Sequence, residues 1–148
     1  MAYVGTFEEL DCWKVATELR RDMLKLIKTF PPEEKYELAS QVRRASRSVT
    51  NNIAEGFGRY HYQEFIQFCR ISRGSLSELV DHMIIANDEA YITKEELVAY
   101  RSRIEKCTGI AQWVHKISQK KKIGIRFRRG RVPTRVLDSH RVKATDTE

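Results

Sequence analysis

Six side chains share both a spacing and a chemistry. Gln41, Arg44, Ser48, Asn52, Glu55 and Arg59 recur at steps of three and four residues, and every one of them hydrogen-bonds. On an α-helix such steps stack side chains into a column along one face. No apolar residue interrupts it. Amides, a hydroxyl, a carboxylate and guanidinium groups in a row present donors and acceptors to whatever lies against them: solvent, a sister subunit or another protein. Solvated faces are ordinarily built from strong helix formers, whereas Ser48, Asn51 and Asn52 are weak ones and a glycine such as Gly56 costs roughly 1 kcal/mol against alanine. Small and amide side chains let another helix approach with hydrogen bonds kept, so the column is read as an oligomer or partner contact.

Phosphate recognition is the second chemistry available. Residues 1–119 carry 17 basic and 17 acidic side chains, while ten Lys and Arg stand against three acids from Lys120 to Glu148, so the whole formal charge of +7 sits in the tail. Such a sign asymmetry points to a nucleic-acid or acidic surface. Lys120, Lys121, Lys122, Arg126, Arg128, Arg129, Arg131 and Arg135 are the expected nucleic-acid contacts. Arginine offers bidentate phosphate bonds, and Phe127 lies among them for base stacking. Arg43 and Arg47, one turn apart beside the polar column, are their expected companions on the folded body. The balanced charge of that body also allows them a plain solvated role.

Catalytic patterns are sparse. Bundles that hold two metal ions use Glu-x-x-His pairs; here Glu78 and His82 are four apart, and no second helix supplies a matching pair. His61, His82, His115 and His140 are scattered. Arg135 to His140 has the Arg-x4-His spacing that resembles the catalytic motif of HEPN-type helical ribonucleases, where the pair polarises a phosphate and moves a proton. Here it follows Pro133 in a segment with no apolar period. Gly56-x-Gly58 is no dinucleotide fingerprint, because no strand precedes it and no third glycine follows. The expectation is a protein without enzymatic activity, metal or cofactor. Cys12, Cys69 and Cys107 are far apart and lie on or beside apolar stripes, so they are expected as buried, reduced thiols, which implies the cytoplasm. The first seven residues lack a basic leader followed by a long apolar run, and no stretch approaches the roughly 18 apolar residues of a membrane span.

Positioning these residues takes four helices, and 41% apolar residues suffice for their core. Helix one is expected over about 7–29, stopped by Pro31-Pro32, with Pro32 opening helix two over about 33–57. Leu38, Val42, Ala45, Val49, Ile53 and Gly56 form its buried stripe. Gly58 is expected to close it in the left-handed conformation. Helix three spans about 63–87 with Phe65, Phe68, Cys69, Ser72, Leu76, Leu79, Met83 and Ala86 inward, and its central Gly74-Ser75 predicts a close backbone approach. Thr93-Lys94-Glu95-Glu96 is a capping box that starts helix four. Short links predict an all-α, antiparallel up-down four-helix bundle over 1–119. The arm at 120–148 is expected to be flexible, although Ile123 to Arg128 alternates as a short strand would.

The residues Gln41…Arg44-Ala45…Ser48-Val49…Asn52-Ile53-Ala54-Glu55-Gly56-Phe57-Gly58-Arg59, followed by Glu64-Phe65…Phe68 and Gly74-Ser75-Leu76…Glu78-Leu79, resemble the bacterial four helix bundle protein family. These are small proteins encoded in intervening sequences of large-subunit ribosomal RNA genes. The resemblance runs from about Leu10 to about Ile117. It also implies a distant relation to the accessory variability determinant of diversity-generating retroelements, a ring-shaped homopentamer that binds nucleic acid and a reverse transcriptase. A homopentamer of this chain would gather five basic arms, roughly +35, on one face. The combined expectation is a non-catalytic, oligomeric nucleic-acid-binding or scaffold protein that holds structured RNA through its arm and bundle surface. One alternative is an accessory subunit of a polymerase or reverse transcriptase; another is a ribonuclease.

Overall fold

The computed structural model describes the backbone of residues 5–119 and the side chains of residues 5–109. They form an all-α bundle of four helices: α1 (Asp11–Leu26), α2 (Leu38–Gly58), α3 (Tyr62–Asp88) and α4 (Lys94–Gln119). α2 packs against α1 and α3, and α4 lies against α3 and α1. Ser72 bonds the Val49 carbonyl and Ser75 bonds Ser48, so numbers rising along α2 meet numbers falling along α3. The pairs Asp22–Arg103 and Val15–Cys107 give α1 and α4 the same antiparallel sense.

The apolar periodicity is the core. Val42, Ala45, Val49 and Ile53 of α2 are at most 1% exposed, as are Met23, Leu79, Met83 and Ile104 from the other three helices. Phe68, expected inward, is only half-buried, and the Arg59 guanidinium lies 5.4 Å from its ring centroid. The capping box forms in both directions: the Glu96 N–H donates to Thr93 Oγ1 at 3.1 Å, and the Thr93 N–H donates to Glu96 Oε2 at 2.8 Å.

Helix boundaries depart from the periodicity at three ends. The stretch expected as one helix over 7–29 is α-helical only from Asp11 to Leu26, with 3-10 turns at Phe7–Glu9 and Ile27–Thr29. Pro32 opens a further 3-10 turn, Pro32–Tyr36, and α2 begins at Leu38. The reason is a local cap. Glu37 leaves helical geometry (φ −106, ψ −118), and Glu34 Oε2 accepts the Leu38 N–H at 2.8 Å, satisfying a first-turn amide of α2. Glu34 Oε1 meanwhile accepts the Tyr91 hydroxyl at 2.8 Å, tying this turn to the α3–α4 connection.

Two expectations about glycine are corrected. Gly58 stays inside α2, and the left-handed residue of the α2–α3 turn is Tyr60 (φ 55). Gly74 has open space around it, with nothing within 4 Å of where a Cβ would stand. The close approach falls at Gly56, where a Cβ would lie 2.7 Å from Phe68 Cβ and 3.3 Å from Phe65 Cα. α3 therefore crosses α2 at Gly56, with its own aromatic residues closing the gap.

Candidate nucleic-acid interface

The polar column of α2 is the floor of an open groove of about 440 Å³. Arg44, Ser48, Asn52 and Glu55 line it, and Arg43 and Arg47 join them from the adjoining rows. The two residue sets that spacing kept apart are therefore one surface, because the exposed arc of α2 is wide enough to hold both. Ser40 and Asn51 also line it. Asn51 carried a signal, as a weak helix former on a helical face; Ser40 carried none. Gln41 is exposed but lies off the groove, and Arg59 stands beyond its end over Phe68.

The electrostatics of the groove are one-sided. Glu55 is paired with Arg59 at 2.6 Å, which neutralises the single acid among the lining residues. Among the described residues, the ion pairs take up Lys14, Arg59, Arg101 and Arg103; Arg43, Arg44 and Arg47 have no carboxylate partner. Three cations without internal partners thus stand within about one helical turn, roughly 6 Å of rise.

Beneath them the helix is held still by hydroxyls. Ser48 Oγ accepts from Ser75 of α3 at 2.8 Å and from the Asn52 amide at 3.0 Å, and the same amide donates to the Ser48 carbonyl at 2.8 Å. On the buried side, Ser72 donates to the Val49 carbonyl at 2.9 Å, and Arg20 of α1 donates to Thr50 Oγ1 at 2.9 Å. Ser48 and Asn52 are therefore positioned by the bundle before any ligand arrives. Preorganised donors and acceptors lose less entropy on binding.

The remaining candidates supply less. Among the described residues no group of three or more His, Cys, Asp or Glu could hold a metal ion. His82 is buried with neither ring nitrogen hydrogen-bonded, its Nε2 3.4 Å from Glu78 Oε1. Lys120, Lys121, Lys122, Arg126, Arg128, Arg129, Arg131 and Arg135, with the Arg135…His140 pattern, lie outside the described residues. No described helix is long and apolar enough to cross a membrane.

The three thiols are free and buried, as expected. Burial pushes Cys12 and Cys107 up to about 11 and Cys69 up to about 12, from an ordinary 9.0. At neutral pH they are protonated and poorly nucleophilic. The raised values also fix a pH dependence. Above pH 9 the unfolded chain releases thiol protons that the folded chain retains, so stability is intact below about pH 9 and falls as pH rises towards 11 to 12. Urea midpoints taken across that window should decline, and triple replacement of Cys12, Cys69 and Cys107 by Ala should flatten the decline. An equal slope in the variant would refute the assignment.

The model of the 23S rRNA-intervening sequence protein family matches residues 8–112, a span that contains the whole groove. No curated protein matches the chain.

Proposed function

Because this chain belongs to the 23S rRNA-intervening sequence protein family, we propose that it is a non-catalytic RNA-binding protein that holds structured RNA on the open face of α2 and with its basic arm. The observation that carries the reading is the trio Arg43, Arg44 and Arg47: three cations without acidic partners on one groove, in a body whose formal charges sum to zero with them included. Guanidinium groups so placed neutralise phosphates and release the cations condensed on the RNA, which is a large source of affinity for a polyanion. The arm, ten basic residues against three acids, adds a second set of contacts tethered to the first, and tethering raises their effective concentration.

The protein acts as an oligomer in this reading, with the homopentamer implied by the resemblance as its form. One feature of α3 supports a subunit contact. Gly74 has open space around it, next to Ile71, which is 44% exposed, and both lie within a turn of Ser75 beside the groove. A polymerase or reverse transcriptase seated there is the competing occupant.

Fluorescence anisotropy with a structured RNA at low and at physiological salt, for the full chain and for residues 1–119, tests the function. We expect a steep loss of affinity with salt, and a shallower slope once the arm is removed. Light scattering on the same samples should give the mass of five chains. Absence of RNA binding by both forms would refute the proposal, and a monomer would remove its oligomeric part.

A further inference from the structure

The groove divides into two chemical halves. At its start stand Arg43, Arg44 and Arg47, which can only donate hydrogen bonds. At its end Asn52 and Glu55 keep unused atoms that can only accept, beside Asn51, whose amide can do either. The orientation of Asn52 follows from its partners: the atom 2.8 Å from the Ser48 carbonyl must be the amide nitrogen, since two carbonyl oxygens do not bond, and the same nitrogen meets Ser48 Oγ at 3.0 Å. Its Oδ1 is left for a ligand. Glu55 gives Oε1 to Arg59 at 2.6 Å and keeps Oε2 in a side chain that is half exposed.

Acceptors beside an anion site are unfavourable for a ligand made of phosphate alone, because oxygen lone pairs would face oxygen lone pairs. A ligand that satisfies both halves carries an anionic oxygen and, a short distance on, a hydroxyl or amino donor. From Arg47 to Asn52 the helix rises about 7.5 Å, close to the advance of two stacked nucleotides, roughly 3.4 Å each along the nucleic-acid axis. RNA presents such a donor at every step, its 2′-hydroxyl, and DNA lacks it.

We propose that the α2 groove selects RNA over DNA, seating phosphates on Arg43, Arg44 and Arg47 and accepting 2′-hydroxyl protons on Asn52 and Glu55. The inference rests on the groove being the nucleic-acid surface argued above. The two halves then have separate roles, the arginines giving affinity and the two acceptors giving sugar selectivity.

The test is competition binding of the full chain to one hairpin sequence in three forms: RNA, 2′-O-methyl RNA and DNA. The methylated strand keeps the bases, the phosphates and the 2′-oxygen, and carries a methyl group in place of the donated proton; DNA lacks the oxygen as well. We expect RNA to bind about tenfold tighter than either competitor, as one well-placed bond would give. Asn52→Leu with Glu55→Ala should bring RNA down to the level of DNA, whereas Arg47→Ala should weaken all three strands together. Thermal unfolding of each variant checks the fold, and the comparison on the unaltered chain stands whether or not the variants fold. Equal affinity for RNA and 2′-O-methyl RNA overturns the inference, and so does a preference that survives the double substitution. Salt-sensitive binding of all three strands would then leave the phosphate role of the groove intact, whereas binding of none removes both readings.

Discussion

Replacing Gly56 with alanine is expected to destabilise the bundle by about 1–3 kcal/mol, the usual cost of forcing a methyl group into a packed site. The same replacement at Gly74 should stabilise it by up to about 1 kcal/mol, the helix-propensity gain of alanine over glycine. Both glycines are helical, so propensity alone predicts the same sign at both positions. Their surroundings reverse one of them. At Gly56 the new Cβ would meet Phe68 Cβ at 2.7 Å and Phe65 Cα at 3.3 Å, atoms at or next to the α3 backbone that no rotamer change can move. The helices themselves would have to separate, and the hydrogen bonds from Ser72 to the Val49 carbonyl and from Ser75 to Ser48 would lengthen with them. At Gly74 the Cβ meets nothing within 4 Å. Urea unfolding of the full chain should move the two midpoints in opposite directions at constant slope. A Gly56→Ala midpoint equal to that of the unaltered chain would show that α2 and α3 are not in contact there.

Converting Arg43, Arg44 and Arg47 together to alanine should weaken RNA binding by on the order of 100-fold at 0.1 M salt, with no loss of fold. Each phosphate contact on a single strand contributes a slope of about −0.7 in log affinity against log salt, so three contacts amount to about two logarithmic units between 0.1 M and 1 M. The slope itself should flatten by about two. The three side chains make no ion pair among the described residues and lie on the outer face of α2, so their removal leaves the core untouched. The control matches the charge change. Lys14, Arg101 and Arg103 are already paired with Asp11, Glu105 and Asp22 on other faces of the bundle. Their joint replacement by alanine removes the same three charges and should change affinity only slightly. Equal losses in the two triple variants would mean that net charge alone attracts the RNA and that the groove has no special part.

How much of this was legible in the sequence depends on the range over which each feature is decided. The four helices, the buried stripe from Val42 to Ile53 and the capping box at Thr93 and Glu96 rest on relations between residues three or four apart, and the chain carries them in full. The 3-10 start before α2 was hidden, because Glu34 caps Leu38 through a side chain that also answers Tyr91, 57 positions away. The polar column was visible as a row of residue types, but its division into a donor half and an acceptor half was not. That division requires knowing that Glu55 turns to Arg59, that Asn52 turns its nitrogen to Ser48, and that the three arginines find no acid on α1 or α3.

Glycine marks the boundary most clearly. Periodicity places Gly56 on the buried stripe of α2, but nothing local says that two phenylalanines close over it or that Gly74, expected at a close approach, stands open. The sequence by itself determined which faces of the helices are apolar, where the fourth helix begins, and that the excess positive charge lies beyond residue 119. The tertiary structure alone decided which glycine is a crossing point and which charges are left for a partner, because both depend on distances between helices that periodicity within one helix cannot encode.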